Sequence, residues 1–274
     1  MDAVALGATD VMTGHPGWRH LVLVALAISS AAPFALLALW SVQGEWFFPA
    51  LLPSGLTTAA WQSALGSGTL GLALATSAAL ASATSVLGCA LALPAGRALA
   101  RLRGWRRHVG AAAAFLPVAT PPLALGTGLQ VVLLAAGLGG TLPGVLLAHL
   151  VPAVGYLALF FLGTFSLWDV RPEEAARTLG ATRGQVWWRV VLPALRRPIA
   201  EGAAVGFLVS WTQFALTLTV GAGAVRTLPL EVLAYARAGE DRAAAVGALL
   251  LIVPPAAAFA ALRWAVRRTT VVPA

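Results

Sequence analysis

Six polar or aromatic side chains stand within otherwise apolar segments of the 274-residue chain, and they are its main candidates for binding chemistry. Amides, imidazole and hydroxyl groups can bind a ligand through neutral hydrogen bonds, and an indole ring can bind an organic cation through its π face. The competing interpretation is that these groups bond to one another or pack between helices. Both interpretations apply to each of the six residues, Gln130, His149, Ser210, Trp211, Gln213 and Thr217.

A polar stretch, residues 169–198, lies between two long apolar segments, and we call it the polar loop. Its first half predicts a short helix. Pro172 suits the first helical turn, because the amide proton that it lacks would have no partner there. Glu173 and Glu174 then place negative charge at the positive end of the helix dipole. Gly180 most easily adopts the left-handed conformation that ends a helix, so the predicted helix runs from about Pro172 to the residues before Gly180.

The second half of the polar loop predicts another short helix. Thr182 and Gln185 have the spacing of a capping box, in which each side chain binds the backbone amide of the other residue. Pro193 removes a helical hydrogen bond, so this second helix is predicted over residues 183–191. The polar loop is therefore expected to be a helix-turn-helix, and a plain solvated connector is the alternative interpretation.

The composition is that of an integral membrane protein. Hydrophobic residues make up 59% of the chain, charged residues make up 10%, and the mean hydropathy is +0.84. These values are too apolar for a soluble domain of this length. About 20 apolar residues at a rise of 1.5 Å cross the ~30 Å hydrocarbon core. By this test the sequence predicts six transmembrane helices, at residues 21–40, 66–94, 109–136, 142–165, 199–220 and 245–264.

The arginines predict the orientation of these spans. All 18 basic residues are arginine. Fifteen of them lie in the N-terminal tail, the loop 95–108, the polar loop and the C-terminal segment, whereas three lie in the loops on the other side. This bias predicts that both termini and the polar loop are cytoplasmic. A net charge of +8 could also suit nucleic acid, but arginines divided among several loops argue against that partner.

The third predicted span contains residues that interrupt a helix. Pro117, Pro121 and Pro122 remove backbone hydrogen bonds, which a membrane tolerates only where neighbouring groups or a cavity satisfy the freed carbonyls. We therefore expect the span to bend or break by more than the ~20° that separates kinks from ordinary curvature.

The fifth predicted span combines small and polar residues. Gly202 and Gly206, at four-residue spacing, predict close packing against another helix. The polar residues that follow, Ser210, Gln213 and Thr217, are expected on the same stripe of one continuous helix.

The sequence offers no catalytic constellation. A Walker A phosphate loop needs a lysine to reach the terminal phosphates, and this chain has none, so it is not expected to hydrolyse ATP. Neither a Cys/His cluster with metal-ligand spacing nor a nucleophile elbow is found, and no metal or cofactor is expected. The one acidic residue within a predicted span is Glu201, four residues after Arg197, which predicts an interfacial ion pair.

A spaced pattern runs through the polar loop: Glu174, Ala175, Ala176, Gly180, Val190, Leu192 and Pro193. This pattern resembles the EAA loop of the membrane permeases of ATP-binding-cassette (ABC) importers, with Val190 where that family usually has isoleucine. The resemblance implies that the loop is a coupling helix that docks into a cleft of a separate ATPase subunit. The residue types suit that role, because Ala175 and Ala176 give a low-relief face and Gly180 allows close approach of a partner.

The resemblance extends over about residues 61–265 to the type-1 importer permease core, five spans with the EAA loop at 169–198. It implies an all-α membrane fold with six transmembrane helices and a cytoplasmic coupling helix between spans 4 and 5. Residues 1–60 would supply a cytoplasmic tail, the first span and an outer loop, and residues 266–274 a second cytoplasmic tail. The implied location is the bacterial inner membrane. The implied partners are two copies of an ABC ATPase subunit, a second permease subunit of the same or a homologous chain, an extracytoplasmic solute-binding protein and membrane lipid.

The expected function is that of the permease subunit of an ATP-driven importer. Residues 220–250 are similar to subfamilies that import polyamines, thiamine, ferric iron or phosphonate. Together with the π face of Trp211 this favours a small organic cation such as a polyamine or thiamine, and ferric iron, phosphonate or an inorganic anion is the alternative. A secondary transporter, which would be expected to keep a carboxylate in mid-membrane, and a membrane-embedded enzyme are alternatives of other classes.

Overall fold

The computed structural model describes residues 16–46, 50 and 53–269, and most of these residues are helical. Within this part of the chain the one β-feature is an antiparallel bridge between Gln43 and Leu56. A π-helical segment, Trp187–Val191, follows the eighth α-helix. The predicted all-α class is confirmed. The α-helices in chain order are α1 (Pro16–Val42), α2 (Ala59–Gly66), α3 (Thr69–Arg101), α4 (Trp105–Ala119), α5 (Pro122–Ala135), α6 (Leu142–Ser166), α7 (Arg171–Thr178), α8 (Arg183–Val186), α9 (Leu192–Ala194), α10 (Arg196–Trp211), α11 (Phe214–Val220), α12 (Leu228–Arg237), α13 (Asp241–Leu250) and α14 (Val253–Thr269).

The helices correspond to the six predicted spans. Within the described residues, four helical segments are long and apolar enough to cross a membrane, namely Trp18–Val42, Thr69–Arg101, Leu142–Ser166 and Asp241–Arg263. Two further spans are bent pairs, α4 with α5 and α10 with α11, which brings the number to six when each pair counts as one crossing. The short helices α7 to α9 form the polar loop between α6 and α10.

The third span is broken, as its prolines predict. The axes of α4 and α5 differ by 96°. Thr120 and Pro121 each precede a proline and adopt extended ψ angles of 133° and 130°, because a helical backbone would clash with the following pyrrolidine ring. Pro117 was expected to share in the break, but it lies within α4. The break is therefore caused by the Pro121–Pro122 pair alone.

The fifth span is also bent, which the sequence analysis did not predict. The helix stops after Trp211 and resumes at Phe214, with 55° between α10 and α11. The expectation of one continuous stripe from Gly202 to Thr217 is therefore wrong, because Gln213 lies in the break and Thr217 lies beyond it. Spacing along a sequence gives a common helical face only where the helix is uninterrupted.

The core is built around α3, α6 and α10. A Cβ atom added to Gly96 of α3 would lie 2.6 Å from the Cβ of Phe161 on α6, and one added to Gly202 of α10 would lie 2.8 Å from the Phe161 ring. A Cβ on Gly206 would lie 3.2 Å from the Cα of Ser85 on α3. The predicted close packing of the fifth span is thus confirmed. In contrast, α1 is almost wholly exposed on this chain and packs against α13 and α2 over a small part of its surface.

Candidate functional site

The first helix of the polar loop ends in the way that its sequence predicts. Gly180 has a φ of +86°, which a residue with a side chain adopts at a cost. Its amide donates to the carbonyl of Arg177 at 2.9 Å. The amide of Ala181 donates to the carbonyl of Ala176 at 3.0 Å. Together these bonds form a Schellman motif, which satisfies two carbonyls at the end of α7 and reverses the chain.

The second helix of the polar loop begins as predicted but ends later. The Thr182 amide donates to Gln185 Oε1 at 2.8 Å, and the Gln185 amide donates to Thr182 Oγ1 at 3.3 Å, so the capping box is present. The helix was expected to stop before Pro193. It instead continues through the π-helical segment, where the Leu192 amide donates to the carbonyl of Trp187 five residues earlier, into α9. This wider turn accommodates Pro193, whose ring would clash with a carbonyl in a regular α-helix.

The residues of the EAA-like pattern divide between two faces of the polar loop. Those on the inner face pack against buried residues beneath the loop, and those on the outer face are exposed. Leu179, beside Gly180 on the outer face, has a side chain that is 88% exposed. Apart from its chain neighbours, no described residue lies within 4 Å of a Cβ atom added to Gly180. The outer residues are Glu174, Ala175, Gly180 and Pro193, and the inner residues are Ala176, Val190 and Leu192.

A buried ion pair that the sequence analysis missed fastens the polar loop to α3. Arg97 Nη2 donates to Glu173 Oε2 at 2.5 Å, with the two side chains 14% and 5% exposed. Trp168 Nε1 donates to the other carboxylate oxygen of Glu173 at 2.8 Å. The guanidinium carbon of Arg97 also lies 5.6 Å from the ring centroid of Phe165 and 5.0 Å from that of Trp187. Arg97 on α3 therefore contacts α6, α7 and the π-helical segment.

Two other ion pairs of this region are exposed. Arg171 hydrogen-bonds to Asp169, which holds the pKa of that carboxyl below its usual range. Arg197 Nε donates to Glu201 Oε1 at 2.9 Å, which confirms the pair that the four-residue spacing predicted. Exposed pairs of this kind contribute little to stability, because water screens them.

Three of the six candidate polar residues meet in the interior, and we call His149, Ser210 and Thr217 the His149 cluster. His149 Nδ1 lies 2.8 Å from Ser210 Oγ, and Nε2 lies 2.9 Å from Thr217 Oγ1. The Thr217 hydroxyl donates to the carbonyl of Gln213 at 2.8 Å, so its oxygen accepts from His149 Nε2–H, and Nδ1 accepts from the Ser210 hydroxyl. His149 on α6 thus binds both halves of the broken fifth span.

A cavity of about 10 Å³ adjoins the His149 cluster, roughly the size of one water molecule. The hydroxyl oxygen of Thr227 is buried beside it, and no described residue offers it a hydrogen-bond partner. The Ser77 hydroxyl accepts from the Leu228 amide at 2.8 Å. Five of the six candidate residues line this cavity, and Gln130 is not among them. The lining residues are Ser77, Leu80, His149, Ser210, Trp211, Gln213, Thr217, Thr227 and Pro229.

Trp211 lines the cavity and also makes fixed contacts with other parts of the chain. Its Nε1 donates to the carbonyl of Leu251 at 3.0 Å, and its ring stacks on Phe207 with centroids 5.7 Å apart. One π face is therefore already covered within the chain. Gln130 lies half-buried on α5. Ser77 and Thr227 were not candidates from the sequence, because α3 contains several small hydroxyl residues and Thr227 lies in a loop.

Comparison with known proteins places this arrangement in a family. Residues 85–271 match the family described as binding-protein-dependent transport system inner membrane component. The chain belongs to this family. The matched region includes Arg97, the polar loop and the His149 cluster.

Several curated permeases resemble this one over most of their length. The molybdenum transport system permease protein ModB of Mycobacterium tuberculosis is 31% identical over 257 residues, which cover 88% of this chain and 91% of that protein. The ModB protein of Mycobacterium bovis matches to the same extent. The putrescine transport system permease protein PotI of Escherichia coli is 27% identical over 232 residues, covering 81% of this chain and 75% of that protein.

Solved structures share the fold of this permease. A bacterial ABC transporter that imports the acidic polysaccharide alginate has a chain that superposes with a TM-score of 0.66 at 16% identity, covering 93% of this chain and 95% of that chain. A bacterial alginate ABC transporter in complex with an alginate pentasaccharide-bound periplasmic protein gives a TM-score of 0.68 at 14% identity. The predicted fold, that of an ABC importer permease, is confirmed.

Proposed function

We propose that this ABC importer permease binds its ATPase subunit through the outer face of the polar loop. The support is the exposure of an apolar side chain, Leu179, beside Gly180, over which none of the described residues packs. Exposed apolar surface on an otherwise polar loop can mark a protein interaction site. Glu174 and Ala175 extend the same face. ATP binding would close the ATPase pair around this face and move the polar loop.

We also propose the membrane orientation that the arginines favour. The polar loop and both termini lie in the cytoplasm, where the ATPase is, because fifteen of the 18 arginines lie on that side. A second permease subunit completes the solute path, and a solute-binding protein delivers the solute from the opposite side. The His149 cluster, with Trp211, Gln213 and their cavity, would be this chain's contribution to the path, and Gln130 a more distant one.

For the solute we propose a tetrahedral oxyanion, with molybdate as the first candidate. The observation that carries this proposal is the similarity to mycobacterial ModB over 88% of the chain. The side chains that line the cavity include no carboxylate, which favours an anion over an amine. The cavity itself, at about 10 Å³, has room for one water molecule, so the permease would have to open at this point to admit molybdate.

Putrescine is the second candidate, because PotI is a relative and because the sequence analysis favoured a small organic cation. A competition assay separates the two solutes. The permease, its ATPase and its binding protein are reconstituted in liposomes with labelled molybdate, and unlabelled molybdate, sulfate or putrescine is added in excess. We expect molybdate to abolish uptake of the label and putrescine to leave it unchanged. A parallel assay supplies labelled putrescine instead. Uptake of labelled putrescine without uptake of labelled molybdate would refute the oxyanion proposal.

A further inference from the structure

We propose that Arg97 is the positioning residue that transmits movement of the polar loop to α3, and through α3 to the His149 cluster. This inference rests on the proposed function, in which an ATPase moves the loop. It assigns the transmitting contact to one buried ion pair, Arg97 with Glu173.

The contacts of Arg97 differ in kind from the other contacts beneath the polar loop. Val186, Val191 and Leu195 anchor the loop through apolar packing, which has no fixed direction and allows sliding. The Arg97–Glu173 contact is a charge-assisted hydrogen bond, which fixes direction and distance. Its partners lie on α6, α7 and the π-helical segment, so one guanidinium joins both helical parts of the loop to α3 and α6.

Burial makes this ion pair hard to break during a movement. Separating the charges would leave each of them poorly solvated in the interior, which is strongly unfavourable. Arg177 is the other cation near Glu173, but it lies 3.9 Å from the carboxylate and is half-exposed. A displaced loop therefore carries Arg97 with it, and Arg97 carries α3.

The helix α3 is suited to carry such a movement to the His149 cluster. From Arg97 to Ser77 it runs 20 residues, or about 30 Å at 1.5 Å per residue. At that end the Ser77 hydroxyl accepts from the Leu228 amide and lines the cavity beside His149. Between the two ends, the Ser85 hydroxyl donates to the carbonyl of Ala203 on α10 at 2.6 Å. At Gly96, α3 packs so closely against α6 that the two helices have little room to shift relative to each other.

The alternative is that the ion pair only stabilises the fold. Replacing both members by apolar residues of similar length distinguishes the two roles, because such a replacement of a buried ion pair is often neutral for stability. The double variant Arg97→Met/Glu173→Met keeps about the same packing volume and removes the directional bond, together with the hydrogen bond that Trp168 Nε1 donates to Glu173. The matched control is Arg197→Met/Glu201→Met, which removes a more exposed ion pair between the end of the polar loop and α10.

The readout is the amount of molybdate taken up per ATP hydrolysed in liposomes, together with co-purification of the ATPase. We expect the double variant at Arg97 and Glu173 to co-purify normally but to lose about fivefold or more in that ratio relative to the control. Arg97→Lys keeps the charge and should retain most of the ratio. A double apolar variant with the wild-type ratio would overturn the inference.

A second measurement keeps the test decisive if the double variant fails to reach the membrane. Spin labels are attached to Ala90→Cys on α3 and Gly184→Cys on α8, with the native Cys89 replaced by serine. Both labelled positions are exposed. We expect the distance between the labels to stay the same with and without ATP, because the loop and α3 move as one body. A distance that shifts on ATP binding would overturn the inference.

The outcomes separate this inference from the proposed function. Normal uptake by Gly180→Trp would refute docking through the outer face, and the inference would fall with it. If Gly180→Trp abolishes uptake while the apolar pair at Arg97 and Glu173 keeps the wild-type ratio, docking stands and only the role of Arg97 is refuted.

Discussion

Replacing Gly180 by tryptophan tests whether a partner packs against the outer face of the polar loop. In the part of the chain that the structure describes, a Cβ atom at Gly180 meets nothing within 4 Å, so bulk alone should not disturb the loop. The φ of +86° makes any side chain cost about 1–2 kcal/mol, confined to an exposed turn. Against an ATPase cleft the indole would separate the two surfaces, which should cost about 2 kcal/mol or more and weaken binding ~30-fold.

The control for backbone strain is Gly180→Asn, because asparagine tolerates the left-handed conformation better than other residues with side chains. Both variants are compared at equal amounts in the membrane, by ATPase co-purification and by molybdate uptake. We expect Gly180→Trp to lose both and Gly180→Asn to keep most of both. Glu174→Arg should act in the same direction as tryptophan, because it places positive charge at the positive end of α7. Unimpaired uptake by Gly180→Trp would mean that the polar loop is only a solvated connector.

Three further substitutions test the interior. His149→Leu removes two hydrogen bonds worth about 0.6 kcal/mol each in a membrane, so the free energy of unfolding of the purified complex should fall by about 1 kcal/mol. Molybdate uptake should fall as well. An unchanged melting temperature and unchanged uptake would contradict a role for the cluster. Gly96→Leu should cost about 1–3 kcal/mol through overlap with Phe161, whereas Gly128→Leu, with open space around its Cβ position, should be tolerated, as measured by yield and melting temperature. Trp211→Leu should lower stability without changing the preference for molybdate over putrescine, and a changed preference would restore the π-face interpretation.

Features that depend on neighbouring residues could be predicted from the sequence. The capping box of Thr182 and Gln185 and the turn at Gly180 are set by residue types within a few positions. The break of the third span follows in the same way from Pro121, whose ring constrains the residue before it. The predicted end of the second helix of the polar loop was wrong. Pro193 is also a signal within the same few residues, but a π-helical turn accommodates its ring and the helix continues.

Features that depend on distant residues could not be predicted. Arg97 and Glu173 are 76 residues apart, and each already had a local explanation, one as a positive-inside charge and the other as a charge at a helix end. His149 was a candidate by type, but its partners lie 61 and 68 residues away. Which polar groups in a membrane interior meet is decided by helix packing, and residue types and their spacing along the chain do not reveal that packing.

The central claim is that this permease moves solute by coupling to an ATPase through the polar loop. The most direct measurement is molybdate uptake into liposomes that contain the permease and its binding protein, with and without the ATPase subunit and ATP. The account predicts uptake only when ATPase and ATP are both present, and no effect of collapsing the proton and sodium gradients. Uptake by the permease without the ATPase, driven by either gradient, would contradict the account and make this chain a secondary transporter.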